Sequence, residues 1–530
     1  MQKKLTIFDT TLRDGAQAEE ISFSIEDKLK ILKALDNLGV RYIETGNPGS
    51  NPKDLEFFRS TNSIKLKHAK LTAFGSTRRQ NVQAEDDSNI QVLLKANTPA
   101  VAIFGKSWDF HVTKVIKTTL EENTKMIRDT IAFFNKNDKE VIFDAEHFFD
   151  GYKSNPKYAL ETLQAAVDGG ADWLVLCETN GGAFPDEVFE ITKDVVKQFS
   201  IPIGIHCHND GGMAVANSIM AVEAGATQVQ GTFIGFGERC GNANLSTIIP
   251  NVQLKKGYIC IPQDQMIKLT STARYIAEIS NIAVNNRMPY VGKSAFAHKG
   301  GMHIDGVNKV TRSFEHIEPE KVGNERRFLM SEISGRSAIL KTIQKVDPEL
   351  TRDSPETQQI IDHLKKLEHS GYQFEAAESS FELMVRKQLG KYKPFFRLEH
   401  FSIIDKQPAQ NSDASASAIL KINVDGKQEI TGAEGDGPVN ALDKALRKAL
   451  EVFYPELKNV RLTDFKVRVL NPKMATAAKV RVLIETTDGN DIWTTVGVST
   501  DIIDASWIAL VDSIEHKLLK DIEKKFKAFA

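Results

Sequence analysis

From residue 5 to about residue 255, short apolar runs alternate with longer stretches whose apolar positions recur every three or four residues. The short runs are "KLTIFD" (4–9), "RYIETG" (41–46), "KLTAFG" (70–75), "PAVAIFG" (99–105), "EVIFDAE" (140–146), "WLVLCET" (173–179), "IPIGIHCH" (201–208) and "QVQGTF" (228–233). Near-continuous hydrophobicity over so few residues predicts strands buried on both faces. Between them, "SIEDKLKILKALDNLG", "TTLEENTKMIRDTIAFFNKN" and "NPKYALETLQAAVDGG" predict amphipathic helices. In the first of these, Ser24 is placed as N-cap, Asp27 at the third helical position and Gly39 as C-cap. Eight strand–helix units in about 250 residues predict a TIM (β/α)8 barrel. A doubly wound sheet is the competing arrangement, since strand order is not legible. The apolar helix after the eighth run, "NANLSTIIPNVQLKK", favours closure.

The pattern then changes. Residues 264 to about 350 read as mainly helical, interrupted by a Gly-, His- and Lys-rich stretch, "SAFAHKGGMHIDGVNK" (294–309). Residues 346–387 read as a charged helical connector. Beyond about residue 390 come longer alternating strands, "FRLEHFSIID", "ASAILKINVDG", "LTDFKVRVLN" and "AAKVRVLIETTDG", with a polar loop at 407–418. Two helices follow similar small-polar turns, "GAEGDGPVN" and "GVSTDIIDA". That similarity predicts an internal duplication of a strands-then-helix unit. The expected organisation is a barrel over 1–262, helical linker subdomains over 263–385, and a C-terminal α+β domain over 386–530.

The 530 residues, too many for one core, suit this division. A charged fraction of 26% and a formal net charge of −2 give no footprint for nucleic acid or an anionic membrane. No apolar run approaches the roughly 20 residues of a membrane span. The N-terminus has two lysines and an early Asp rather than a secretory core. Cys177, Cys207, Cys240 and Cys260 form neither a zinc pattern nor a disulfide framework. A cytoplasmic location is expected.

In a barrel of this kind chemistry sits where strands end, and ionisable residues gather there: Asp9, Arg13 and Asp14, then Glu44, Glu146, Glu178, His206, His208, Asp210, Glu238 and Arg239. In "HCHND" (206–210), His206 and His208 share one strand face, a spacing that suits one divalent cation. Asp14 can approach them across the barrel mouth. "GERCGNANL" (237–245) offers Asn242 or Asn244 as a neutral oxygen ligand. Such a set leaves positions open for a chelating substrate, with the metal as Lewis acid. Arg13 supplies fixed positive charge for an oxygen gaining negative charge.

"DTTLRDG", "HCHND" and "GERCGNANL" together resemble the metal-dependent Claisen-condensing barrel enzymes: 2-isopropylmalate, homocitrate and citramalate synthases. The resemblance continues through "SAFAHKGGMHIDGV" and "VGNERRFLMSEISGRS" to "GDGPVNALDKAL" and "GVSTDIIDASWIALVDS". "FDAEHFFDGYKSNPKYAL" and "LCETNGG" are most similar to the branch that condenses acetyl-CoA with pyruvate. The resemblance implies Asp14, His206, His208 and Asn242 as ligands of one divalent metal ion. It implies Arg13 as the group polarising the oxo-acid carbonyl, with Glu146 and Thr179 contacting the oxo acid or assisting proton transfer, and Glu44 as a further barrel carboxylate that binds the substrate or supports the groups that do. It implies His303, with Asp305, as the group enolising acetyl-CoA, delivered by a neighbouring subunit of a homodimer. His298 is the alternative by position. The family's C-terminal domain binds an end-product amino acid, isoleucine for this branch. Glu178 departs from the Asp that many relatives carry there. The same resemblance leaves three rivals: 2-isopropylmalate synthase, a carbon–carbon lyase on a similar barrel, and a silent amino-acid sensor.

Overall fold

The structure, a computed structural model, describes residues 3–61, 64–329, 336–351, 353–374, 377–406, 415–470, 477–489 and 491–529. They divide into two compact units, residues 1–296 with 317–326 and residues 297–316 with 327–530.

The first unit is a closed barrel of parallel strands in sequence order: β1 (Thr6–Asp9), β2 (Tyr42–Glu44), β3 (Lys70–Ser76), β4 (Ala100–Lys106), β5 (Glu140–Glu146), β6 (Trp173–Glu178), β7 (Ile203–Cys207) and β8 (Gln228–Gly231). Each apolar run predicted as a strand is one, and β1 pairs with β8 to close the ring, so the doubly wound alternative is excluded. Successive side chains point to opposite faces, and the barrel uses both. Ile7, Val101, Ile103, Val141 and Phe143 pack outward in the large cluster shared with the helices. Phe8, Tyr42, Ala100, Ala102, Ile142 and Val175 fill the interior. One layer above Ile142, the same inward-facing alternation carries Asp144 and then Glu146.

The helix Ile25–Leu38 starts with a reciprocal capping box: Asp27 N donates to Ser24 Oγ at 3.1 Å, and Ser24 N donates to Asp27 Oδ2 at 3.1 Å. It ends at Gly39, φ 98°, where a Cβ would lie 2.3 Å from Pro262 Cδ, so both the turn and the close approach need glycine.

In the second unit β9 (Ala297–His298) pairs with β10 (Arg327–Phe328), and helices cover Pro355–Ser370 and Glu378–Gln388. Two antiparallel three-stranded sheets follow, β11 (Arg397–Lys406), β12 (Ser415–Val424) and β13 (Lys427–Gly435), then β14 (Arg461–Val469), β15 (Val480–Thr487) and β16 (Ile492–Ser499). Each sheet precedes a helix, Pro438–Leu450 and Ile502–Phe529, and the two halves share one core. The duplication is present, but each repeat has a third strand where only a turn was expected. β13 reads "KQEITGAEG", polar and small with few inward positions, and gives almost no hydrophobic signal. A second correction concerns 294–309: the Gly-rich stretch was expected to break helical structure, yet Gly301–Lys309 is a helix, anchored by buried Ile304 and Val307. Of the polar loop expected at 407–418, residues 407–414 lie outside the described residues and 415–418 open β12. Part of the motif "VGNERRFLMSEISGRS", residues 330–335, also lies outside them.

Candidate active site

After β1, Asp14 N and Gly15 N donate to Thr10 O at 2.9 and 3.1 Å, a tight turn that carries Arg13 and Asp14 over the barrel mouth. β7 brings His206 and His208 up opposite them. Donor atoms of Asp14, His206 and His208 all lie within 4.8 Å of one another, and all three residues are buried. His206 Nε2 and His208 Nε2 stand 3.3 Å apart, and Asp14 Oδ2 lies 3.6 and 3.9 Å from them.

Asn242 bridges to His208 through the backbone, and its Nδ2 donates to Asp14 Oδ1 at 2.9 Å. Its Oδ1 is buried without a partner, as is His208 Nδ1. Asn244, the other candidate, is occupied: its Oδ1 accepts from Ser246 N at 3.0 Å and Ser246 Oγ at 2.7 Å, capping the helix Leu245–Pro250. Gly237 belongs to the same cradle, because a Cβ there would lie 2.2 Å from Asn242 Nδ2. One carboxylate, two imidazoles and an orphaned amide oxygen fit a divalent cation.

Burial alone would raise the Asp14 pKa, but the Arg13 charge, His206, His208 and the Asn242 amide together hold it well below the usual carboxylate range. Burial pushes His206 down to about 3 and also lowers His208, so both rings are neutral, the form that binds metal.

Arg13 is fixed on three sides. Its Nε donates to Glu44 Oε2 at 2.6 Å, its Nη1 donates to Asp14 Oδ2 at 2.9 Å, and its guanidinium lies 3.8 Å over the Phe74 ring. Glu44 also accepts from Thr10 Oγ1 at 2.5 Å. It does not line the cavity; it stands behind Arg13 and aims it. The cavity, about 210 Å³, is bounded by Arg13, Asp14, Glu146, Thr179, His206 and His208, with Phe74 and Phe104 as one wall. Those two rings stack with centroids 5.1 Å apart. Glu146 is ion-paired with Lys106, and Thr179 Oγ1 accepts from His147 N at 2.9 Å. Glu178 is turned away, taking the Gly182 and Ala183 amides at 3.1 and 3.3 Å and shaping the loop after β6.

Sequence reasoning missed Asp144, which lines the cavity floor, and Gln230 behind His206. Asp144 is pushed up to about 8 by burial and by the nearby Glu44 charge. Strand alternation holds the signal for both: Asp144 is two residues before Glu146, and Gln230 is the register partner of His206.

His303 and Asp305 belong to the second unit. His303 is exposed on Gly301–Lys309 and stacks on Phe314, centroids 4.1 Å apart, while Asp305 accepts from Lys309 at 2.7 Å. His298 is buried, its Nε2 3.0 Å from Glu315 Oε1.

Similarity to known proteins follows the same division. A family model described as HMGL-like matches residues 4–278, a homocitrate synthase post-HMGL domain-like model matches 290–371, and a LeuA allosteric (dimerisation) domain model matches 375–518. The (R)-citramalate synthase of Aquifex aeolicus (strain VF5) is 53% identical over 525 residues, covering 99% of each chain. That of Geobacter sulfurreducens is 50% identical over 517 residues, covering 98% of each. A probable 2-isopropylmalate synthase of Methanopyrus kandleri is more distant, 31% identical over 97% of this chain and 99% of its own. The chain belongs to the HMGL-like barrel family and, within it, to the group formed by the (R)-citramalate synthases.

Proposed function

We propose that the chain condenses acetyl-CoA with pyruvate and hydrolyses the thioester, giving (R)-citramalate and CoA. The observation that carries this reading is the single cavity in which the Asp14, His206 and His208 donors lie beside the fixed guanidinium of Arg13. Asp14, His206, His208 and Asn242 would hold one divalent ion, which supplies Lewis acidity to an oxo-acid carbonyl when bound. Arg13 binds the carbonyl oxygen and stabilises it as an alkoxide after attack. Thr179 and Glu146 orient the oxo acid, and the Phe74–Phe104 wall offers an apolar surface to its side chain.

His303, assisted by Asp305, takes the proton from the acetyl methyl group. The resulting enolate carbon attacks C2 of pyruvate, its C=O bond opens to the alkoxide, and the alkoxide is protonated. Water then cleaves the thioester and releases CoA, which makes condensation irreversible. Exposure of His303 on its own unit supports its delivery by a partner subunit. We take the barrel, residues 1–262, as catalytic, 263–385 as the linker that carries the His loop, and 386–530 as a regulatory and dimerising domain. The match to an allosteric (dimerisation) domain supports that last role, with isoleucine as feedback effector of a cytoplasmic homodimer. No helix among the described residues is long and apolar enough to cross a membrane.

The deciding assay supplies acetyl-CoA with pyruvate, 2-oxoisovalerate or 2-oxoglutarate and measures free CoA. Release with 2-oxoisovalerate and none with pyruvate would overturn the acceptor assignment. Isoleucine and leucine are then titrated against the same signal. Inhibition by neither sinks the effector reading.

A further inference from the structure

His206 and Gln230 are register partners on β7 and β8, so their side chains rise from the same face of the barrel wall. Gln230 is fully buried. Its Oε1 faces His206 Nδ1 at 3.1 Å, while its Nε2 donates to Asp144 Oδ1 at 3.0 Å and to Gln228 Oε1 at 3.4 Å. A primary amide has one accepting end and one donating end. Here two oxygens stand on the donating side. In the orientation the structure holds, the amide gives its hydrogens to these two oxygens and its oxygen to His206.

That orientation sets the state of the ring beside it. Gln230 Oε1 can only accept, so His206 Nδ1 carries the proton. The bare nitrogen is then Nε2, the one turned toward His208 Nε2 and Asp14 Oδ2. Packing alone does not call for this arrangement. The adjoining interior layer is filled by Ile142, Val175 and other apolar side chains. Burying an amide and a carboxyl there costs free energy unless their polar atoms are paired. Asp144 needs no charge for its part, because a carboxyl oxygen accepts from Gln230 in either protonation state.

We propose that Gln230 and Asp144 form a hydrogen-bonded relay that fixes the tautomer of His206 and thereby sets the affinity of the Asp14–His206–His208 centre for a divalent cation. Both are positioning residues: they act through His206 and do not touch the ion. The inference rests on the reading of that centre as a metal site, and its test keeps the two apart.

The test uses the full-length protein freed of metal by a chelator, with Mn²⁺ binding measured by titration calorimetry in the absence of both substrates. His206→Ala comes first. If it binds Mn²⁺ as the parent does, the metal reading itself falls. With that control passed, Gln230→Leu removes the acceptor and weakens Mn²⁺ binding about 10- to 100-fold, the usual cost of losing a partner behind a metal-bound imidazole. Asp144→Leu weakens binding in the same direction, while Asp144→Asn, which can still offer an oxygen to Gln230, stays close to the parent. Circular dichroism of the metal-free variants checks folding. A second arm does not depend on leucine being tolerated. Gln230→Glu combined with Asp144→Asn conserves volume and reverses the middle hydrogen bond: the new amide donates to the new carboxylate, whose other oxygen still accepts from His206 Nδ1, and the Gln228 amide, whose Nε2 is buried without a partner, can turn to donate to it as well. That double variant binds Mn²⁺ at least as tightly as the parent. Parental affinity in Gln230→Leu, or a double variant that folds yet binds as weakly as Gln230→Leu, overturns the relay and leaves the metal reading standing.

Discussion

Replacing Arg13 by glutamine separates catalysis from architecture at the barrel mouth. Loss of a donor aimed at a developing oxyanion lowers kcat about 10²- to 10³-fold, or about 2.7–4 kcal/mol. The same change takes the cation from Glu44, whose Oε2 lies 2.6 Å from Arg13 Nε and whose side chain is fully buried. Removing one partner of a buried pair costs about 3–5 kcal/mol of stability. The two losses are similar in size, so a single variant cannot tell them apart. Glu44 offers the way out. Burial already raises its pKa, and Arg13 is the strongest influence opposing that rise. Arg13→Gln with Glu44→Gln therefore removes the stranded carboxylate, returning most of the stability and none of the turnover. The assay is CoA release at saturating acetyl-CoA and pyruvate, beside urea unfolding of both variants. If turnover returns together with stability, Arg13 is an architectural residue and the reasoning is wrong.

Asn242→Ala weakens Mn²⁺ binding while Asn244→Ala leaves it intact and lowers stability by about 1 kcal/mol, the cost of a lost N-cap; equal Mn²⁺ affinities in calorimetry would remove Asn242 from the ligand set. Glu515, buried in the helix Ile502–Phe529 near Lys387, Asp512 and Tyr392, is pushed up to about 7 by burial against the opposing Phe395 amide. Its contribution to stability is present below its ordinary value of 4.5 and lost as pH rises through about 7, roughly 3 kcal/mol in all. Glu515→Gln does not titrate, so its unfolding free energy should gain on the parent's between pH 5 and 8; parallel curves refute the shift. His303→Ala abolishes turnover with little change in melting temperature, whereas His298→Ala, which removes the buried His298–Glu315 contact, lowers the melting temperature first. Near-normal turnover in His303→Ala would move the base elsewhere.

The barrel was legible because buried parallel strands write themselves as compact apolar runs, and ionisable residues crowd their C-terminal ends. What the sequence hid had local causes. β13 lacks apolar inward positions, and its strand geometry comes from pairing with β12 along its whole length. Gly301–Lys309 carries glycines at 301 and 306, and burial of Ile304 and Val307 overrides the weak propensity. Choosing between Asn242 and Asn244 needs three dimensions, since the choice turns on which carbonyl a helix cap has already taken. Gln230 carries no charge and forms no motif, and only the register of β7 with β8 reveals it.

The state of each basic group in the barrel cavity bears on where the acetyl proton goes. His206 and His208 turn their Nε2 atoms toward each other and toward Asp14, an arrangement that spends both lone pairs on a cation. Burial and the nearby Glu44 charge raise the Asp144 pKa, which favours its protonated form. Glu146 is held in place by its ion pair with Lys106. Glu238, which also lines the cavity, lies 3.7 Å from the Arg239 guanidinium. The barrel has built the electrophilic half of a condensation on rigid strand ends, where charge and hydrogen bonds are fixed in advance. For the acetyl proton a general base outside the barrel is proposed, and histidine is the side chain that most often takes that role. His303, exposed on its own helix, is the imidazole proposed for it.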